Sequence, residues 1–118
     1  MSEETPLGRI EISPIAIASI AARSMKSAYG VVGLANKNFA DGVVRTLSGD
    51  AHRGISVIAD GKRIEIDLYV IVEYGTRIAS VATSLQNLVR FNVEKALGVP
   101  IDAVNVHVQG LRVSDTDA

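Results

Sequence analysis

The sequence predicts a two-layer α+β domain, with a mixed or antiparallel sheet of about four strands and two helices on one face. Three observations predict it. Residues 63–73 alternate apolar and charged, 78–96 carry an apolar stripe at helical spacing, and 14–28 repeat that helical pattern. The chain of 118 residues is 47% hydrophobic with a formal net charge of -1. That length suits one domain, expected over 8–113, with 1–7 as a flexible N-terminus and 114–118 as a flexible tail.

Taken in order, Arg9-Ile10-Glu11-Ile12 alternates as a half-buried strand does. Ser13-Pro14 then offers an N-cap followed by proline at the first helical position. In that helix Ile17, Ile20, Ala21, Ser24, Met25 and Ala28 share a face, Arg23 and Lys26 suit the negative end of the dipole, and Gly30 is the expected C-cap. Residues 30–54 read as a long irregular connection with turn signals at Asn36-Lys37-Asn38, Asp41-Gly42 and Ser48-Gly49-Asp50.

Asp60-Gly61 is expected to turn a hairpin between Ile55–Ala59 and Lys62–Glu73. In its second strand Ile64, Ile66, Leu68, Val70 and Val72 form the core face. The opposite face carries Arg63, Glu65, Asp67 and Glu73, with Tyr69 and Ile71 among them. Two apolar residues on a polar face point to a covering surface, supplied by the 30–54 connection or by a second copy of the chain, and self-association is expected. Tyr74-Gly75 ends the strand, and Thr76 is expected to cap a helix with Val81, Leu85, Val89 and Val93 inward. Phe91 is placed at the core edge, and Gln86 and Glu94 among the residues dressing a solvent face. Gly98 to Pro100 stop the helix before a last strand with Val104, Val106 and Val108 on one face and Asn105, His107 and Gln109 on the other.

Several chemistries are excluded or weakened at this level. With no cysteine there is no disulfide, thiolate metal site or cysteine nucleophile. The two histidines, His52 and His107, sit in no catalytic motif, and an enzyme would need a pocket bringing one of them to a carboxylate. Glu65, Asp67 and Glu73 share a face as a cation site would, yet a solvated strand face reads the same way. Gly30-Val31-Val32-Gly33 has the spacing of the backbone-gripping loop of KH domains, but valines replace its polar centre. Nucleic acid is therefore not the expected partner, given the charge of -1 and 4% aromatic residues; an RNA-binding stripe would have to run through Lys37, Arg45 and Arg53. No cofactor is expected. No apolar run reaches the length of a membrane span, and the Met-Ser-Glu-Glu start lacks the basic flank of a secretion signal, so the cytoplasm is the expected compartment.

The run Asp67-Leu68-Tyr69-Val70-Ile71-Val72-Glu73-Tyr74-Gly75, followed by Ile78, Ala82, Leu85-Gln86, Val89, Glu94 and Gly98 and then by Val104-Asn105-Val106-His107-Val108 and Gly110, strongly resembles the bacterial alkaline-shock protein family. Gly8-Arg9-Ile10-Glu11-Ile12-Ser13 and Gly30-Val31-Val32-Gly33-Leu34 share the likeness, which covers Gly8 to about Val113. The resemblance implies a non-enzymatic cytoplasmic protein tied to cell-envelope stress in mainly Gram-positive bacteria. It also implies assembly into multiple copies and, as in some members, attachment at the membrane through an anchored protein partner. It supplies no catalytic or cofactor residues. Tyr69, Ile71, Tyr74 and His107 are the candidate interaction surface, and Gly75 and Thr76 the candidate structural junction.

Overall fold

An eleven-residue strand whose alternate side chains are all apolar can bury one face completely, and Arg63–Glu73 does so. Ile64, Ile66, Leu68, Val70 and Val72 are each at most 1% exposed. Burial of side chains of this kind stabilises by about 1.5–3 kcal/mol each. The computed structural model describes residues 2–35, 54–61 and 63–113. In chain order its elements are β1 (Ser2–Thr5), β2 (Gly8–Glu11), α1 (Pro14–Met25), β3 (Val31–Leu34), β4 (Ile55–Asp60), β5 (Arg63–Glu73), α2 (Ile78–Leu97) and β6 (Ala103–Arg112). The architecture is α+β, with a mixed sheet under two helices.

β5 is the centre of that sheet, since β3, β4 and β6 all pair with it. β6 runs parallel along one edge, from Glu65↔Ala103 to Glu73↔Arg112, with a register shift after Val70. A parallel neighbour requires a crossover, and α2 supplies it. The other edge is shared by two antiparallel strands, β4 opposite Arg63 to Leu68 and β3 opposite Val70 to Val72. They meet at Tyr69, whose N–H donates to the Gly54 carbonyl at 2.8 Å and whose carbonyl accepts the Ala35 N–H at 2.8 Å. Ala35 and Gly54 are thus brought together at one backbone position of β5. His52, Lys37, Arg45 and Arg53 lie outside the described residues.

α1 starts as expected: the Ser13 hydroxyl accepts the Ala16 N–H at 3.2 Å, and Pro14 is the first helical residue. α1 and α2 pack together over the Ile64–Val72 face, burying Ile17, Ala21 and Met25 against Val81, Leu85, Val89 and Val93. The buried Ser24 hydroxyl carries the polar contacts across their seam, accepting from the Asn92 amide at 2.6 Å and donating to the Leu88 carbonyl at 3.4 Å.

The structure corrects several expectations. Ser2–Thr5, assigned to a flexible N-terminus, is a strand paired antiparallel with Gly8–Glu11 in a separate two-stranded sheet. Alternation at 9–12 predicts half burial, but every residue of β2 is exposed, since β2 pairs only with β1 among the described residues. α1 ends at Met25 with Lys26 as its C-cap, so Gly30 is not the cap; its φ of +84° instead turns the chain into β3. Gly33 thus lies in a strand paired with β5 and not in a phosphate-gripping loop. The last pair of the hairpin is Asp60↔Arg63, which puts the connection one residue beyond Asp60-Gly61. Arg77, not Thr76, is the N-cap of α2, and Phe91 is 63% exposed instead of closing the core. Gln86 and Glu94 do more than dress a surface. Gln86 donates to the Val104 carbonyl at 2.8 Å, and Glu94 accepts the Ile101 N–H at 2.8 Å, so α2 holds the start of β6.

Two glycines separate strain from collision. Gly54 (φ +86°) has no room for a Cβ, which would stand 2.6 Å from the Ala35 carbonyl oxygen, whereas a Cβ on Gly75 (φ +98°) would meet nothing within 4 Å. Gly75→Ala is expected to cost about 1–2 kcal/mol from backbone strain alone. Gly54→Ala should cost measurably more, because the Tyr69 junction must also open. Urea unfolding of both variants checks the order.

Candidate functional site

The helices cover one face of the sheet and leave the other to solvent among the described residues. Parity of a strand sends the odd-numbered side chains of β5 to that open face. The parallel register then sets Asp67 beside Asn105, Tyr69 beside His107 and Glu73 beside Arg112. The register shift after Val70 places Gly110 beside Ile71. On the β4 side Ile58 opposes Glu65 and is half-exposed.

Asp67 is the polar centre. One of its oxygens, Oδ1, accepts the Asn105 amide at 3.1 Å and lies 3.0 Å from His107 Nε2. The His107 ring stacks on Tyr69, with centroids 4.5 Å apart and planes 12° apart. Stacking and hydrogen bonding together fix two aromatic rings in one orientation before any partner arrives, which lowers the ordering cost of an interface. At the end of β5, Arg112 Nε lies 3.4 Å from Glu73 Oε2.

Three of the four residues expected on the interaction surface therefore share this face: Tyr69, Ile71 and His107. Tyr74 does not. It sits at the corner beyond β5, largely exposed, with its N–H donating to the Arg112 carbonyl at 2.8 Å. Gly75 follows with its positive φ, and the Thr76 hydroxyl donates to the Glu73 carbonyl at 2.7 Å, closing the turn instead of capping α2. Residue spacing located Tyr69 and His107 separately, but their stacking depends on which strand neighbours β5.

A histidine does meet a carboxylate here, which the sequence set as a condition for catalysis. Among the described residues the pair stands on an open sheet face, and His107 is 40% exposed. Glu65 and Glu73 flank it but turn to Arg63 and Arg112. No group of three or more metal-ligating side chains occurs among the described residues. The face presents aromatic and aliphatic area framed by paired charges. Asp67→Ala should destabilise the domain by about 1–2 kcal/mol, since it strips the acceptor from two part-buried donors. Chemical denaturation checks it, and Asn105→Ala should cost less because Asp67 then keeps His107.

Comparison with known proteins places this geometry. The model of the alkaline shock protein 23 family, described as having a cell envelope-related function, matches residues 2–113. The uncharacterized protein YloU of Bacillus subtilis is 41% identical over 113 residues, covering 94% of this chain and 94% of that protein. The uncharacterized protein Spy1614 of Streptococcus pyogenes is 35% identical over 108 residues, covering 90% of this chain and 89% of that protein. Among solved structures, the zinc form of a MamM CTD variant is similar with a TM-score of 0.51 at 14% identity, over 86% of this chain and 90% of that one, which is a likeness of fold alone. No helix among the described residues is long and apolar enough to cross a membrane. With the family pattern matched from β1 to the end of β6, and with relatives at 41% and 35% identity along nearly their whole lengths, the chain belongs to the alkaline shock protein family, whose function is related to the cell envelope.

Proposed function

We propose that this protein is a non-enzymatic module of cell-envelope stress or homeostasis, acting in the cytoplasm as a scaffold that self-associates through the open face of its sheet. One observation carries the reading: Tyr69, Ile71 and Ile58 stand on a face that no element of the described chain covers, beside a His107 ring held in place by Asp67. Apolar and aromatic residues framed by ion pairs form the centre-and-rim pattern of a protein interface. Two such faces can stack about 10 Å apart, as the sheets of a sandwich do. The family's envelope-related description supports the cellular role. Attachment to the membrane through an anchored protein partner belongs to the same reading, with the assembled form as the unit that is held.

Ile71 supplies the cleanest test, because its neighbour across the sheet is the side-chain-free Gly110 and it makes no part of the core. Ile71→Lys should weaken self-association by about tenfold or more, the loss expected when a central interface residue is replaced by a charge. The melting temperature should shift by no more than a few degrees. Sedimentation across a concentration series measures the first and thermal unfolding the second. A wild-type chain that stays monomeric at high micromolar concentration would remove the proposal.

A further inference from the structure

The direction of each backbone amide in β5 decides which groups of β6 are left over. Tyr69 and Glu73 donate their N–H groups to the carbonyls of Gly54 and Gly30, on the side of β4 and β3. Successive residues of a strand point their amides to opposite edges, so Ile66, Leu68 and Val70 direct theirs into the β6 ladder. The same rule holds at both ends of that ladder, where the Ile64 carbonyl accepts the Asp102 N–H and the Tyr74 N–H donates to the Arg112 carbonyl. In a parallel pair, the residue beside an amide that points inward points its own amide away. Val104, Val106 and Val108, the partners of Ile66, Leu68 and Val70, therefore present their N–H and C=O groups at the outer edge of β6.

Gln86 takes the first of these positions, donating to the Val104 carbonyl at 2.8 Å. At Val106 and Val108 no strand among the described residues meets the edge, since β6 pairs with β5 alone. Natural edges are guarded by charged side chains, by proline or by a bulge. From Ala103 to Gly110 the chain has no Lys, Arg, Asp, Glu or Pro, and the register shift comes only beyond Val108. An unguarded edge of this kind is a template for one more strand.

We propose that this edge pairs antiparallel with the same edge of a second copy, about a two-fold axis through His107. In that register Val106 of each copy exchanges main-chain hydrogen bonds with Val108 of the other, and Gln86 keeps the Val104 carbonyl. A second copy is the fitting occupant because the segment is its own complement: valine meets valine on the helix side, and no like charges of Lys, Arg, Asp or Glu are opposed on either face. At the axis the two His107 rings face each other, each already stacked on its own Tyr69 and held by its own Asp67. A continuous row of aromatic rings then crosses the junction. Two four-stranded sheets become one, and their open faces join into a single larger surface. Edge pairing and the stacking of open faces use different atoms, so together they extend an assembly where either alone stops at a pair.

Amide hydrogen exchange of the full-length chain reads the edge directly. The Val106 and Val108 amides should exchange at least about tenfold more slowly where the assembled form predominates than after dilution to monomer. Ile71→Lys, which weakens the stacking of open faces, should keep that protection and sediment as a dimer. A second readout uses the absence of cysteine from the chain. Residues opposed at a non-hydrogen-bonded antiparallel site have Cα atoms about 4.5 Å apart, within reach of a disulfide. His107→Cys on the Ile71→Lys background should therefore give a covalent dimer on mild oxidation, whereas Asn105→Cys on that background, off the axis, should give severalfold less. Equally fast exchange of Val106 and Val108 in the assembled and diluted protein overturns the proposal, as does equal cross-linking of the two cysteine variants. Protection of the same amides in the diluted monomer overturns it by assigning the edge to a strand of the same chain. A wild-type chain that assembles while Ile71→Lys stays monomeric overturns it as well, and leaves face stacking as the contact. Ile71→Lys dimers with protected edge amides uphold it whether or not the faces stack.

Discussion

Everything in this domain is referred to the single strand β5. Its even-numbered side chains fill the core, its odd-numbered side chains build the open face, and both of its edges carry partners. A strand so used cannot slip, because a shift of one residue would exchange Ile64–Val72 with Glu65–Glu73 and bury charge. The Asp102 carboxylate reinforces the register at one end, accepting the Ile64 N–H at 2.7 Å while its own N–H donates to the Ile64 carbonyl at 2.9 Å. At the other end Tyr74 and Arg112 close the parallel pair.

With that register fixed, the open face follows without further adjustment. Parallel pairing aligns two segments that are both rich in alternation, so polar groups meet polar groups across the strands: Asp67 meets Asn105 and His107, and Glu73 meets Arg112. A strand pair of this kind satisfies its own charges and leaves its rings and aliphatic tips available. Fold and surface chemistry are thus two readings of one pairing pattern.

Ala35 and Gly54, although 19 positions apart in the chain, meet on the same strand. Ala35 and Gly54 share the backbone of Tyr69, whose side chain stacks on His107 on the open face. The Gly54 conformation, with no space for a Cβ, shows how closely the two ends of the connection approach.

The sequence alone determined the elements whose periodicity is long: α1 with its Ser13-Pro14 start, the buried face of β5, the inward stripe of α2 and the alternation of β6. Those patterns are local, and burial of one face dictates them directly. It also placed Tyr69, Ile71 and His107 on exposed strand faces, and the resemblance identified the family. Tertiary structure alone decided which strands are neighbours, and hence that Tyr69 stacks on His107 and that Asp67 serves two donors. It turned Gln86 and Glu94 from surface residues into ties on β6, exposed Phe91, and converted the N-terminal segment into a separate hairpin. Short strands such as β1 and β3 carry too few residues for a period to register. Hydrogen bonds between residues about 40 positions apart leave no trace in local spacing, because the distance that matters to them is set by the register of two strands and not by the chain between them.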